Sequence, residues 1–555
     1  MRGVVLAAPR IAMTARTLID ALSARSPAAL VIHGPRGSVS ATSSWAEIDR
    51  LSGLCASRLA SLGLDRRDRI GLMAETDLDF LRLFFGCQKA GLVPVPLPLP
   101  NAFGDRSAHA ERLRLQLRAA GACVAISAEA HAGLLPPDLR MRGTPADIDH
   151  LAPSARVPRG PTPDDIAFLQ FSSGSTRFPK GAMISQRAVM ANAAAIRDGL
   201  GVVAGDVTVS WLPLYHDMGL VGCVLAPLAA GLELHLLPTR EFVRNPAIWP
   251  RLMSDARGTL SYSPGFGYDL AARRAACEDL DLSRWRVAGI GGDMIRPDVL
   301  RRFADAFAPA GFRAGALVPS YGLAEATLAV TMTPPGRDLM AEDVDLDRLE
   351  SEGRIAPALA GRRSRMLARC GMPLPGTELR IVDAGGRRLA EREVGRIMVR
   401  SPSVMEGYFR EPEETARALD PSGWLDTGDL GAVVEGELVI TGRAKDVIIV
   451  NGRNLWPQDL EWAAEQVRPL RAGDVAAVPH PGSDGGEQVV LLVQCRVPDT
   501  VQRDRLVEAL VAQVMATSGV LCRVVLVPPR SLPRTSSGKL ARAQARLLLA
   551  EGVFG

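Results

Sequence analysis

The chain has 555 residues, 65 Lys+Arg against 61 Asp+Glu for a net charge of +4, and 47% hydrophobic with 23% charged residues. At ~150 residues per domain this predicts three or four cores in an ordinary soluble globular protein. So small a charge makes no case for a nucleic-acid partner, and no run of ~18 apolar residues predicts an integral membrane span.

The apolar stretch Gly3–Pro9 is too short for a secretory signal. Eight cysteines stand singly, at 55, 87, 123, 223, 277, 370, 495 and 522, with no CxxC pair. They predict reduced thiols and a cytoplasmic location, with no disulfide framework. Along the first ~160 residues, helical spacing at Trp45–Leu62, Asp77–Ala90 and Glu111–Ala120 alternates with strand-like Arg69–Met73 and Ala122–Ile126. Pro94, Pro96, Pro98 and Pro100 predict a stiff extended piece, and Pro153–Pro163 a connector. The βα alternation resumes with strands at Ile166–Phe171, Val207–Leu212, Leu232–Leu237 and Val287–Gly291. Pro335–Arg369 is a charged segment too long for a simple connection, with helix-like spacing over Ala341–Glu352. Gly371–Val434 reads as β-rich. Beyond Thr441 come a strand at Val447–Val450, a helix at Pro457–Gln466, further strands and a basic tail. This predicts an α/β protein of two α/β layers plus a β-rich part over residues 1–440. A separate small α+β domain follows over 441–555.

The usage of lysine is sharper than the composition as a whole. Only four of the basic residues are lysine: Lys89, Lys180, Lys445 and Lys539. Lysine is a compact point charge and arginine a planar fork, so a chain this biased keeps lysine where a guanidinium cannot substitute. Lys89, beside an apolar Pro-rich stretch, reads as incidental; the other three fall in glycine-rich segments. One of these is FSSGSTRFPKG, Phe171–Gly181, where a strand runs into Ser172, Ser173, Gly174, Ser175 and Thr176, then Lys180. Small residues let backbone N–H groups approach phosphate oxygens, hydroxyls donate, and the lysine neutralises charge. It is not a Walker P-loop, because Lys180 is followed by Gly181 rather than Ser or Thr.

This stretch resembles the phosphate loop of the adenylate-forming superfamily of acyl-CoA synthetases, peptide-synthetase adenylation domains and luciferases. WLPLYHDMGL (211–220), GIGGDMI (289–295), PSYGLAEATL (319–328), WLDTGDLG (424–431), GRAKDVIIVNGRNLWPQDLE (442–461) and PRTSSGKLAR (533–542) follow in that family's order. The resemblance covers residues ~30–545 and implies ATP and Mg²⁺ as cofactors. It assigns Glu325 and Thr176 to Mg²⁺, and Tyr321 to adenine with Gly291, Gly292, Ser320 and Gly322 around it. It assigns Asp429 and Arg443 to the ribose, Lys445 to a hinge, and Lys539 to the α-phosphate. His216 lines the way in for the carboxylate. The apolar Gly219–Gly231, including Gly222, and SYSPGFGY with Ser263 and Phe266 suit the walls of an alkyl pocket.

Within the superfamily the chain is most similar to fatty acyl-AMP ligases, through VNGRNLWPQDLE and above all the extra Pro335–Arg369 segment leading into CGMPLPG. That resemblance implies activation of a fatty acid as acyl-AMP and transfer to the phosphopantetheine of an acyl carrier protein. The extra segment would pack near the hinge and impede the arrangement that serves CoA. SYSPGFG departs from the Gly-Gly-Pro-Asn run of many members. Two other readings stay open at this point: an acyl-CoA synthetase, and a non-catalytic nucleotide-binding relative.

Overall fold

The computed structural model describes residues 14–24, 26–100, 106–155, 159–171, 179–450, 452–481, 487–535 and 539–554. Its centre is a nine-stranded sheet in which Leu317–Gly322, Val287–Ile290, Leu260–Ser263, Val207–Ser210, Glu233–Leu236 and Ala29–His33 run parallel, with antiparallel strands at both edges. Such strands are covered on both faces and read as apolar runs. Behind them Trp249 packs edge-on to Tyr268 and Trp285, and Phe303 closes on Tyr268. Phe303 comes from the helix Pro297–Phe307, whose buried Val299, Leu300, Phe303 and Phe307 follow the helical i, i+3, i+4 repeat.

A second, wholly parallel sheet joins Val93–Leu97, Arg69–Met73, Val124–Ile126 and Met141–Gly143. Its covering helix Leu78–Lys89 starts where Asp77 accepts a hydrogen bond from the Phe80 amide at 2.8 Å. The proline-rich piece is an edge strand here, where Pro94 and Pro96 need bond on one side only.

Three expectations need correcting. Ile166–Phe171 is not part of a βα unit; it pairs antiparallel with Gly181–Ser185. Ser261–Ser263, read only as the start of a pocket wall, also belong to a central strand, Leu260–Ser263. Ala341–Glu352 is not one helix. Ala341–Asp345 is a strand paired with Ser364–Ala368, and the helix Leu346–Glu352 begins after Asp345, which accepts from the Arg348 amide at 3.1 Å. An N-capping aspartate with a β-ladder before it outweighs the local helical spacing.

Glu378–Val382, Gly395–Arg400, Leu425–Val434 and Glu437–Arg443 form a four-stranded antiparallel sheet. The turn between the last two holds Glu435 and Gly436 at φ of 52° and 79°, as a tight hairpin requires. Past residue 447 the strands Val475–Pro481, Glu487–Gln494 and Cys522–Val527 carry helices on both faces. Val489, Leu491 and Val493 face one apolar cluster, with Leu460, Leu506 and Leu510. Val490 and Leu492 face another, with Ala545 and Leu549. That period of two is what a strand covered on both sides demands. Among the described residues no helix is long and apolar enough to cross a membrane.

The segment 335–369 joins these parts. Val344, Leu346, Leu349 and Leu367 share a buried cluster with Val434, Val439 and Trp456. Glu350 accepts from Arg363 at 3.0 Å and from Arg453 at 3.1 Å, and both arginines also donate to the Ser518 carbonyl, at 2.7 and 2.8 Å. Ser518 ends the helix Thr500–Ser518, where carbonyls are otherwise unpartnered. Arg365, 6% exposed, pairs with Asp459 at 2.9 Å between the rings of Trp456 and Trp462.

Leaving one member of a buried pair uncompensated typically costs ~3–5 kcal/mol. Asp459→Asn is therefore expected to lower the calorimetric midpoint of the C-terminal part. Combining it with Arg365→Met should restore most of the loss.

Candidate active site

The main cavity, about 330 Å³, opens at the carboxyl ends of the parallel strands, where open α/β sheets bind ligands. Two neighbouring strands contribute residues at or just past their ends. After Val287–Ile290 come Gly291 and Gly292; a Cβ at Gly291 would meet the Ser320 carbonyl at 3.1 Å. Gly292 turns at φ +79°, and Lys539 Nζ lies 3.9 Å from where its Cβ would stand. Lys539 thus reaches from the C-terminal part to a turn whose positive φ favours glycine.

Ser320, Tyr321 and Gly322 close the strand Leu317–Gly322 and line the same cavity. A Cβ at Gly322 would fall 1.7 Å from the Leu328 carbonyl, so the chain doubles back tightly there and presents Glu325. Glu325 receives the Tyr408 hydroxyl at 2.8 Å. Burial pushes its carboxyl above the usual range, although the Tyr408 hydrogen bond opposes this.

Asp429 stands opposite Arg443 in the last hairpin. Its two carboxylate oxygens take different partners: the Tyr321 hydroxyl donates to one at 2.8 Å, and Arg443 Nε lies 3.1 Å from the other. Burial and the adjacent Asp429 carboxylate keep the Tyr321 phenol well above its ordinary pKa. Lys445, two residues on, also lines the cavity; burial, then Arg443, lowers its ammonium pKa. Lys180 pairs with Glu414 and sits 5.4 Å from the centre of the Tyr408 ring. Ser172, Ser173, Gly174, Ser175 and Thr176 lie outside the described residues.

His216 Nδ1 meets Asp217 Oδ1 at 2.6 Å on the cavity wall. Burial would raise Asp217, but His216 and then Lys539 outweigh it and hold the carboxyl below its usual range. Asp217 opens the wide π-helical turn Met218–Leu225 by accepting from the Met218 amide at 2.7 Å. Such turns recur at functional sites.

Of the predicted alkyl-pocket residues, His216 and Gly222 line the cavity; Gly219, Ser263 and Phe266 do not. A Cβ at Gly219 would meet the Pro213 carbonyl at 2.3 Å, so this glycine serves backbone packing. Ser263 Oγ donates to the Pro264 carbonyl at 2.8 Å. Phe266 is 46% exposed against the edge of Trp211. The apolar end is walled instead by Ile196, Met218, Tyr262, Leu328 and Met332. Tyr408, Glu414 and Asp217 were not singled out by sequence reasoning. Only Asp217, beside His216, carried a local signal.

The AMP-binding enzyme profile matches residues 21–409. A Caulobacter vibrioides protein provisionally assigned as an acyl-CoA synthetase is 46% identical over 97% of this chain and 96% of its own length. A medium-chain-fatty-acid–[acyl-carrier-protein] ligase of Moorena producens is 32% identical over 92% of this chain and 90% of its own. A solved structure from work on fatty acyl-adenylate ligases of E. coli and L. pneumophila superposes with a TM-score of 0.93 at 39% identity, covering 98% of this chain and 100% of that one. The chain belongs to the AMP-binding enzyme family and is an adenylate-forming ligase of the fatty acyl-AMP ligase type.

Proposed function

We propose that the chain activates a fatty acid with ATP to give acyl-AMP and pyrophosphate, then passes the acyl group to the phosphopantetheine thiol of an acyl carrier protein. The observation that carries this reading is Lys539 Nζ beside Gly292. It puts one cation where a cavity's polar nucleotide end meets its apolar end. A fatty carboxylate is already ionised near neutral pH, so no base is required. Its oxygen attacks the α-phosphorus, a P–O bond forms, and the bond to pyrophosphate breaks with its electron pair on the departing oxygen. What the protein supplies is alignment and compensation of charge.

Lys539 neutralises the α-phosphate and carboxylate oxygens. Tyr321 stacks on the adenine, edged by Gly291, Gly292, Ser320 and Gly322. Asp429 accepts from the ribose hydroxyls while Arg443 holds it. Lys180 and the Ser172–Thr176 loop take the outer phosphates. His216, oriented by Asp217, faces the carboxylate. Among the described residues no three acidic, His or Cys side chains gather as a metal site. A Mg²⁺ held by one carboxylate plus phosphate oxygens fits better, and half-buried Glu325, with Thr176, would hold it. When bound, the ion would spread the charge of the leaving phosphates.

For the second step, residues 441–555 act as a domain that turns about Lys445 against residues 1–440. The segment 335–369 opposes the turn, because turning breaks the Glu350–Arg453 and Arg365–Asp459 pairs and the Arg363 bond to the Ser518 carbonyl. A bias of ~3 kcal/mol would hold the turned state below about 1%. Carrier-protein contacts can offset that bias, whereas free CoA has few to offer. Singly placed thiols, unpaired among the described residues, suit a cytoplasmic enzyme.

Lys539→Ala is expected to cut pyrophosphate release by ~10²–10³ while leaving the large part folded, since it removes a charge needed in the transition state. Retention of half the wild-type rate would reject its role. Tyr408→Phe removes a hydrogen bond that lowers the Glu325 pKa. The carboxylate should then need a higher pH to ionise, so the acid limb of the pyrophosphate-release profile should move upward; an unmoved limb would detach Glu325 from the reaction. With millimolar CoA the wild-type enzyme should accumulate acyl-AMP yet acylate a pantetheinylated carrier protein. Glu350→Ala with Arg363→Ala should raise acyl-CoA output by ~10-fold without slowing pyrophosphate release. Rapid acyl-CoA formation by the intact enzyme would favour the activity assigned to the Caulobacter relative.

A further inference from the structure

The apolar end of the main cavity stops at a wall, and a second, smaller void lies behind it. Leu200, Val202, Cys223, Ala226, Ala230 and Leu260 are among its lining, and it shares Ile196, Gly222 and Tyr262 with the main cavity. Residues that border both spaces are a partition between them. The void measures about 20 Å³, which is room for about one water and not for a length of alkyl chain.

Tyr262 supplies most of the partition's bulk. It lies on the strand Leu260–Ser263, in register with Gly289 on the neighbouring parallel strand. Its ring atoms stand 2.1–2.3 Å from where a Cβ at Gly289 would be, so the ring lies across bare backbone that any other residue would deny it. Its hydroxyl points to Met332 Sδ at 3.6 Å, and Met332 is itself in the cavity wall. The ring is 9% exposed and held at both ends. It stands in SYSPGFG, the stretch where the sequence leaves the pattern of many fatty acyl-AMP ligases.

We propose that Tyr262 is the chain-length stop of the acyl pocket, confining this enzyme to medium-chain acids by closing the main cavity off from the void behind it. The inference rests on the reading of the site as a fatty-acid adenylating centre. A longer chain must displace the ring from Gly289 or leave its last carbons without a cavity. In a hydrophobic pocket one methylene too many or too few changes kcat/KM by ~10–200-fold. Removing the phenol ring joins the two spaces and gives the chain end somewhere to go.

The test is kcat/KM for pyrophosphate release with straight-chain acids from hexanoic to stearic. It uses the full-length enzyme, Tyr262→Ala, Ile196→Ala, and Tyr262→Ala combined with Ala226→Leu. The wild type should fall by ~10-fold or more from its best medium-chain acid to palmitic acid. Tyr262→Ala should raise the palmitic-to-octanoic ratio by at least ~10-fold, Ile196→Ala should shift it the same way, and Ala226→Leu should reverse the gain by refilling the void. If Tyr262→Ala does not fold, the wild-type profile and Ile196→Ala still decide. A wild type that prefers palmitic or stearic acid, or a ratio unmoved in folded variants, overturns the stop while adenylation stands. No pyrophosphate release with any acid overturns the adenylation reading itself.

Discussion

Two parts of the molecule meet at the carboxylate of Asp429, and the site depends on it. Tyr321 reaches it from the end of the central sheet, and Arg443 from the last residue of the β-rich hairpin. At 6% exposure the carboxylate cannot be left half-partnered without a cost of several kcal/mol. A slip of one residue in the hairpin would turn Arg443 to the opposite face. The tight turn at Glu435–Gly436 therefore positions the cavity as well as closing a loop. It also places Lys445, two residues past Arg443, in the cavity wall.

The charges around the cavity follow from the same economy of lysine seen in the sequence. Lys180, Lys445 and Lys539 all line it. The fourth, Lys89, donates to the carbonyl and carboxylate of Asp49 at 2.6 Å, far from the chemistry. A flexible stem with a point charge can enter a turn as narrow as Gly291–Gly292, where a planar guanidinium would need two partners. Against these cations stand two carboxylates with opposite tendencies. Asp217 is held below its usual range by His216 and Lys539, while Glu325 is pushed above its own by burial, which outweighs Tyr408 and Arg443. A group of that second kind gains most from a bound cation.

The segment 335–369 bridges two parts of the molecule. Its apolar face belongs to the β-rich part through Val434 and Val439, and its charged face belongs to the C-terminal part through Arg453, Asp459 and Ser518. Both faces are engaged in one arrangement, so the segment ties the β-rich part to the C-terminal part.

Much of this was legible in the residues alone. The α/β class, the order of the glycine-rich segments and the grouping of Lys180, Glu325, Asp429, Arg443 and Lys539 follow from local patterns, because phosphate and ribose recognition uses short stretches with fixed side-chain chemistry. Elements whose hydrophobic period was strong, such as Leu78–Lys89, came out within a residue or two of the predicted bounds. What only the tertiary structure decided depends on neighbours remote in the chain. Gly219, Ser263 and Phe266 looked like pocket wall by composition, yet a glycine packed on a carbonyl and a phenylalanine on a tryptophan edge have the same sequence signature as a lining. Tyr408 and Glu414 gave no local signal, because they matter only where the chain brings them beside Glu325 and Lys180. Ala341–Asp345 had helical spacing but became a strand, because a partner strand some twenty residues on offered it a ladder. Side-chain chemistry is written locally, whereas burial and partnership are set by packing, and packing is not periodic.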